Sequence, residues 1–241
     1  MKVYGAALAA LALLVAGCGS DETALPAVTA SGAGPDSEAL PVAGPERSIL
    51  AFGDSLLTGY GLKDGESYPA RLEAALRARG VNARIRNAGV SGNTSADGLQ
   101  RLAFTLGSQP APPELVLISL GGNDMLRGLA PQQTRDNLDA ILTELGKRRI
   151  PVILMGMLAP PNLGAEYRKS FDGIYPALAA KHRAALVPFF LQGVVGKADL
   201  IQPDRVHPTA PGIEAIVVDT VDDVAAALPP VSPADAKPTH P

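Results

Sequence analysis

Apolar residues fall along this chain in two alternating rhythms. Short solid runs, each stopped by glycine or a polar turn, alternate with longer stretches where apolar positions recur every three or four residues. Residues 48–52 (Ser-Ile-Leu-Ala-Phe) end at Gly53 and read as a buried strand. Residues 68–79 set Leu72, Ala75, Leu76 and Ala78 between charges and stop at Gly80, the pattern of an amphipathic helix with a glycine end. Residues 83–87 alternate Ile85 with arginines, as a less buried strand does. Residues 94–106 predict a helix that starts after Asn93. Residues 115–120 form the clearest core strand, closed by Gly121-Gly122. Residues 134–149 carry Leu138, Ile141, Leu142 and Leu145 on one helical face. A strand at 151–157 follows. The helical pattern at 166–184 should kink or break at Pro176. A short strand at 185–189 comes next, then a closing helix at 211–228 with Pro211 in its first turn.

Strands alternating with helices imply a mainly parallel five-stranded sheet covered on both faces, a three-layer α/β/α sandwich. Ligands in such folds bind at the carboxyl ends of strands. That rule points to Asp54-Ser55, to residues 89–93 and to residues 121–124 before any motif is considered.

The ends of the chain break the rhythm. Lys2 precedes an apolar run over residues 6–16, too short for the roughly 20 residues that span a bilayer and right for an export signal over residues 1–17. Val15-Ala16-Gly17-Cys18 resembles a bacterial lipobox, in which the cysteine becomes the lipidated first residue; an ordinary secretory signal is the plainer alternative. Residues 18–45, rich in Ala, Gly, Ser, Thr and Pro, read as a flexible linker. The expectation is an exported lipoprotein, anchored to a membrane rather than spanning it. Gly19 after the cysteine favours the outer membrane, or at least the periplasmic side, in a cell with two membranes. The domain then covers residues 46–228, and the proline-rich residues 229–241 read as a disordered tail.

Composition excludes several functions. With 21 basic and 24 acidic residues, no Trp and only five Phe and five Tyr, neither a basic patch nor a base-stacking platform for nucleic acid is expected. Cys18 is the only cysteine, so no internal disulfide or cysteine zinc cluster can form. The three histidines lie far apart, and neither a metal nor a cofactor is expected. A monomer is expected.

Four segments remain. Asp54-Ser55 follows the first strand, Gly89-Val90-Ser91-Gly92-Asn93 the second and Gly121-Gly122-Asn123-Asp124 the third. Asp204-Arg205-Val206-His207 precedes the last helix. Singly, each has a bland reading as a helix cap, a turn or a structural histidine. Jointly, in this order and all at strand ends or loops, they are hard to ascribe to chance.

Together they resemble the GDSL esterases of the SGNH hydrolase family, whose four blocks correspond to Gly53-Asp54-Ser55-Leu56, Gly92, Gly121-Gly122-Asn123-Asp124 and Asp204-x-x-His207. The resemblance runs from about Ile49 to Leu228. It is closest to the bacterial arylesterase, acyl-thioesterase and lysophospholipase branch, to which residues 87–94, Leu126-Arg127-Gly128 and Asn162-Leu163-Gly164 with Tyr167 also correspond. One departure is Met125, which stands where a small residue is common and could narrow a pocket mouth. The resemblance implies a flavodoxin-like SGNH fold and cofactor-free hydrolysis of carboxylic esters or thioesters through an acyl-serine.

The roles follow from chemistry. A serine hydroxyl at neutral pH needs a base to take its proton, so Ser55 needs His207. Asp204, three residues earlier, can reach the imidazole and fix its tautomer. Ser55 N–H, Gly92 N–H and the Asn123 amide are the candidate oxyanion donors. Asp54 and Asp124 read as loop-ordering residues, and His182 as part of a solvated face. Leu126, Leu129 and Leu163 suit an acyl group. The lipase elbow Gly-x-Ser-x-Gly is absent around Ser91, where Asn93 replaces the second glycine. A dinucleotide fingerprint at Gly59-Tyr60-Gly61 fails, because the third glycine, Gly65, falls one residue late. Two alternatives keep the fold: a catalytically inactive binding or structural lipoprotein, and a carbohydrate acetyl esterase.

Overall fold

A computed structural model of the chain describes residues 42–231. The expected signal segment, Cys18, the linker up to residue 41 and the tail from residue 232 lie outside the described residues. Five parallel strands form one sheet: β1 (Arg47–Gly53), β2 (Ala83–Gly89), β3 (Leu115–Ser119), β4 (Val152–Met155) and β5 (Ala185–Val187), in the order β2-β1-β3-β4-β5. The apolar pattern accounts for the positions. β3 and β4 are buried throughout and β1 almost so, as strands covered on both faces must be. β2 carries exposed Arg84 and Arg86 and takes an edge, which explains its alternating pattern.

The helices are α1 (Ser55–Thr58), α2 (Tyr68–Ala78), α3 (Ser95–Gly107), α4 (Gly122–Leu126), α5 (Pro131–Lys147), α6 (Ala165–Asp172), α7 (Ile174–His182) and α8 (Ala210–Ala227). α2 packs on α8, while α3 packs on α5 and α5 on α7, giving two helical layers around the sheet. Tyr68 is fully buried between α2 and α8, its hydroxyl 2.7 Å from Thr220 Oγ1 and its ring edge-on to Phe190. Helix starts follow local chemistry. Thr94 and Asp97 form a reciprocal capping box at α3. Prolines occupy the first turn of α2, α5 and α8.

Three expectations change. The break expected at Pro176 falls at Gly173, so Pro176 sits in the first turn of α7, where a missing N–H leaves no bond unmade. α1 and α4 have no counterpart in the periodicity reading, since four and five residues are too few to show a helical repeat. His182 is not on a solvated face: its side chain is only 16% exposed, and Nε2 lies 2.5 Å from Asp139 Oδ1. Lys181 holds the other oxygen of Asp139 at 2.7 Å. Together these hydrogen bonds, His182 first, keep the Asp139 carboxyl below the usual carboxylate range.

Strand order reverses at β1, whose neighbours are β2 on one side and β3 on the other. Chains leaving β1 and β3 therefore diverge over opposite faces, and a crevice opens at their carboxyl ends.

Candidate active site

β1 ends at Gly53 because no side chain fits there: a Cβ would strike the Ser119 carbonyl and the Leu57 side chain. The chain turns at Asp54, whose N–H donates to Ser119 O at 3.2 Å and so ties the turn to β3. Asp54 Oδ1 accepts the Leu56 N–H at 3.1 Å and caps α1. Ser55 is thus the first residue of a short helix, half-buried, at the point where the strand order reverses.

The loop after β2 is fastened to the same place. Val90 N–H donates to Gly53 O at 3.0 Å. Arg101, from α3, donates to Gly53 O and to Asn93 Oδ1, both at 2.7 Å, while its guanidinium lies 4.0 Å from the Phe52 ring centroid. Gly92 has φ +80°, a conformation only glycine adopts without strain. Its carbonyl accepts from Arg127 Nη2 at 2.7 Å. The Gly92 and Ser55 N–H groups donate no hydrogen bond among the described residues.

The third segment follows β3. Asn123 Nδ2 donates to Asn93 O at 3.0 Å and to Asp54 Oδ2 at 3.3 Å, which fixes the amide between the first two loops. Asp124 is fully buried and caps α3, accepting the Ser95 N–H at 2.8 Å, the Ser95 hydroxyl, and the Thr134 hydroxyl at 3.2 Å. Both aspartates order loops in this geometry, as the sequence suggested.

The fourth segment arrives from far along the chain. Ile201 and Pro208 form an antiparallel bridge, and Gln202 N–H donates to His207 O at 2.7 Å, closing a tight loop. Arg205 within it has φ +61°. Asp204 Oδ1 accepts the Val206 and His207 N–H groups at 2.9 and 3.0 Å. Its Oδ2 lies 2.6 Å from His207 Nδ1, and His207 Nε2 lies 2.8 Å from Ser55 Oγ. Nδ1–H then points at the carboxylate, leaving Nε2 to accept from the hydroxyl.

Two carboxyls in this site are driven in opposite directions. Burial dominates at Asp54, 2% exposed, and raises it to about 6 despite the Leu56 N–H and the nearby His207. At Asp204, desolvation is outweighed by the His207 N–H, the His207 ring and the Val206 N–H acting together, which hold it down at about 2.

Of the residues singled out in the sequence, Ser55, His207 and Asp204 form one hydrogen-bonded chain, with Asn123 and Gly92 on the adjoining loops. Leu126 is exposed at the end of α4. Leu129 and Leu163 are half-buried, on the two segments that Tyr167 connects by donating to Leu129 O at 2.9 Å. Met125 is half-buried against the core. Ser91 bonds Thr58, Oγ to Oγ1 at 3.0 Å. Among the described residues no group of His, Cys, Asp and Glu could hold a metal ion.

Sequence reading missed Arg101, Gln202 and Tyr60. Gln202 Nε2 donates to Tyr60 O at 2.8 Å and to Pro208 O at 2.9 Å, and the Tyr60 ring packs on His207 at 4.5 Å between centroids. No short-range signal marks such residues, because the contacts that matter reach from Arg101 to Gly53 across 48 positions and from Gln202 to Tyr60 across 142.

Comparison with known proteins places the chain among relatives. Residues 51–215 match the GDSL-like Lipase/Acylhydrolase family. Esterase TesA of Pseudomonas aeruginosa is 41% identical over 162 residues, covering 67% of this chain and 80% of that protein. Thioesterase 1/protease 1/lysophospholipase L1 of Escherichia coli is 38% identical over 161 residues, 67% of this chain and 75% of that protein. The crystal structure of AlinE4, an SGNH-hydrolase family esterase, shares 63% identity at a TM-score of 0.66, covering 78% of this chain and all of that one.

Proposed function

The chain belongs to the GDSL-like lipase/acylhydrolase family and hydrolyses esters, and from that premise we propose that Ser55 is its nucleophile, His207 its general base and Asp204 the residue that orients the base. The observation that supports this most is the unbroken relay from Asp204 Oδ2 through His207 to Ser55 Oγ, at 2.6 and 2.8 Å. In the scheme, Nε2 takes the Ser55 proton as Oγ attacks the acyl carbon. The carbonyl oxygen becomes an oxyanion, met by the unclaimed N–H groups of Ser55 and Gly92 and by the Asn123 amide, which the Asn93 carbonyl holds in place. The imidazolium then gives its proton to the leaving oxygen or sulfur, and the acyl–Ser55 bond remains. Water, giving a proton to His207, attacks the acyl carbon; the bond to Ser55 Oγ then breaks, Oγ takes that proton back, and the acid leaves.

The acyl donor is a carboxylic ester or thioester. We assign Leu126, Leu129 and Leu163 to its acyl side, on the strength of their apolar character and their place on the two segments joined by Tyr167. Replacing Ser55 with Ala should lower turnover of a short p-nitrophenyl ester by at least about 10⁴-fold. A fluorophosphonate probe should label wild type at Ser55. Activity retained in the Ser55→Ala protein would sink the assignment.

Lipidation of Cys18, anchoring on the periplasmic side with the outer membrane favoured, and a monomeric state are likewise proposals that rest on sequence. Labelled palmitate should enter the full chain in a bacterial host and fail to enter Cys18→Ala; equal labelling of both would remove the anchor.

A further inference from the structure

The acyl-transfer scheme above, on which this inference rests, has a geometric consequence for the leaving group. His207 Nε2 must hand its proton to the leaving oxygen, so that oxygen passes within about 3 Å of Nε2. Whatever is bonded to the oxygen then lies beside the imidazole. One side chain already packs on that imidazole. The Tyr60 ring packs against His207 at 4.5 Å between centroids, tilted by 36°. Yet Tyr60 is 53% exposed, a large fraction for an aromatic residue touching a catalytic base.

The Tyr60 main chain is tied to both the serine and the histidine segments. Tyr60 N–H reaches Ser55 O at 3.4 Å, across the end of the nucleophile helix. Its carbonyl accepts from Gln202 Nε2 at 2.8 Å, and Gln202 N–H in turn donates to His207 O at 2.7 Å. These bonds fix the Tyr60 main chain between the nucleophile helix and the His207 loop, and the ring's contact with the imidazole is what places the side chain. The hydroxyl makes no hydrogen bond among the described residues, so it contributes nothing to that positioning.

A half-uncovered aromatic ring, packed on the imidazole that protonates the departing group, favours another ring over an alkyl chain of the same size, because offset and edge contacts between rings add to simple burial. We propose that Tyr60 forms a leaving-group subsite that selects esters and thioesters of aromatic alcohols and thiols over their aliphatic counterparts.

A role in packing alone would affect all substrates alike, and this separates the two accounts. The test measures kcat/KM of the full chain on phenyl acetate and cyclohexyl acetate, which share an acyl group and differ in the ring. Intrinsic leaving-group reactivity cancels when the phenyl-to-cyclohexyl ratio is compared between proteins. Tyr60→Leu should lower that ratio about 3- to 10-fold, and Tyr60→Phe should keep it within about 2-fold. Tyr60→Met serves as a second aliphatic variant should Tyr60→Leu fold poorly. An unchanged ratio in the aliphatic variants, or an equal fall on both esters, overturns the subsite. Fluorophosphonate labelling of Ser55 in each variant keeps the outcomes apart. An intact label with an unchanged ratio removes only the Tyr60 proposal, whereas a wild-type chain that does not label removes the acyl-serine reading and this inference with it.

Discussion

Asp54 and Asp204 flank the same serine and histidine, yet the regions that hold them are built on opposite principles. Asp54 sits at the end of a buried strand, its position fixed by Gly53 below it and β3 beside it. Asp204 sits on a surface loop, its side chain 37% exposed, held almost wholly by hydrogen bonds that it accepts itself. The first region takes its geometry from packing and leaves the carboxyl short of solvation, at about 6. The second takes its geometry from donors, which hold the carboxyl at about 2. Asp204 thus remains an anion at neutral pH, as the proposed orienting role requires. Asp54 is a structural acid whose charge the fold resists.

The largest effect should come from breaking the donor-built side. Asp204→Asn preserves size but puts an N–H₂ where an acceptor is needed, turning the imidazole toward the wrong tautomer. Turnover of a p-nitrophenyl ester should fall by about 10⁴-fold. A loss under tenfold would show that the loop orients His207 without the carboxylate. Stability drawn from the Asp204 carboxylate is present above its unfolded value and is lost as pH falls toward 2.

The packed side should answer to pH with the opposite sign. Because folding raises Asp54 to about 6, the folded state holds a proton that the unfolded state has already released. Its contribution to stability is full below about pH 4 and declines as pH rises through 6. Asp54→Asn mimics the protonated acid at every pH. Denaturant melts at pH 4.5 and 7.5 should therefore show the variant gaining on wild type by about 2 kcal/mol between the two. No relative gain, or a relative loss, would mean that Asp54 keeps its charge at little cost.

These two regions were not equally legible in the sequence. The Asp204–His207 spacing is a local matter: an aspartate accepting N–H groups two and three residues ahead brings its other oxygen to the imidazole within one turn. The run that ends at Gly53 likewise announces a strand followed by a turn. The burial that lifts Asp54 is not local, since it depends on β3 and on Asn123 arriving from 69 positions away. His182 was misjudged for the same reason: its partner, Asp139, is 43 residues distant on another helix.

The sequence by itself determined the alternation of strands and helices, the apolar faces, the strand ends where chemistry would gather and the aspartate–histidine turn. Each of these is written in spacings of a few residues, where backbone geometry leaves little choice. Only the tertiary structure decided the β2-β1-β3-β4-β5 order, the meeting of Ser55 with His207 across 152 positions, and the placing of Tyr60 on the imidazole. An apolar face specifies that it must be covered and not by what; the partner is chosen when all layers pack at once.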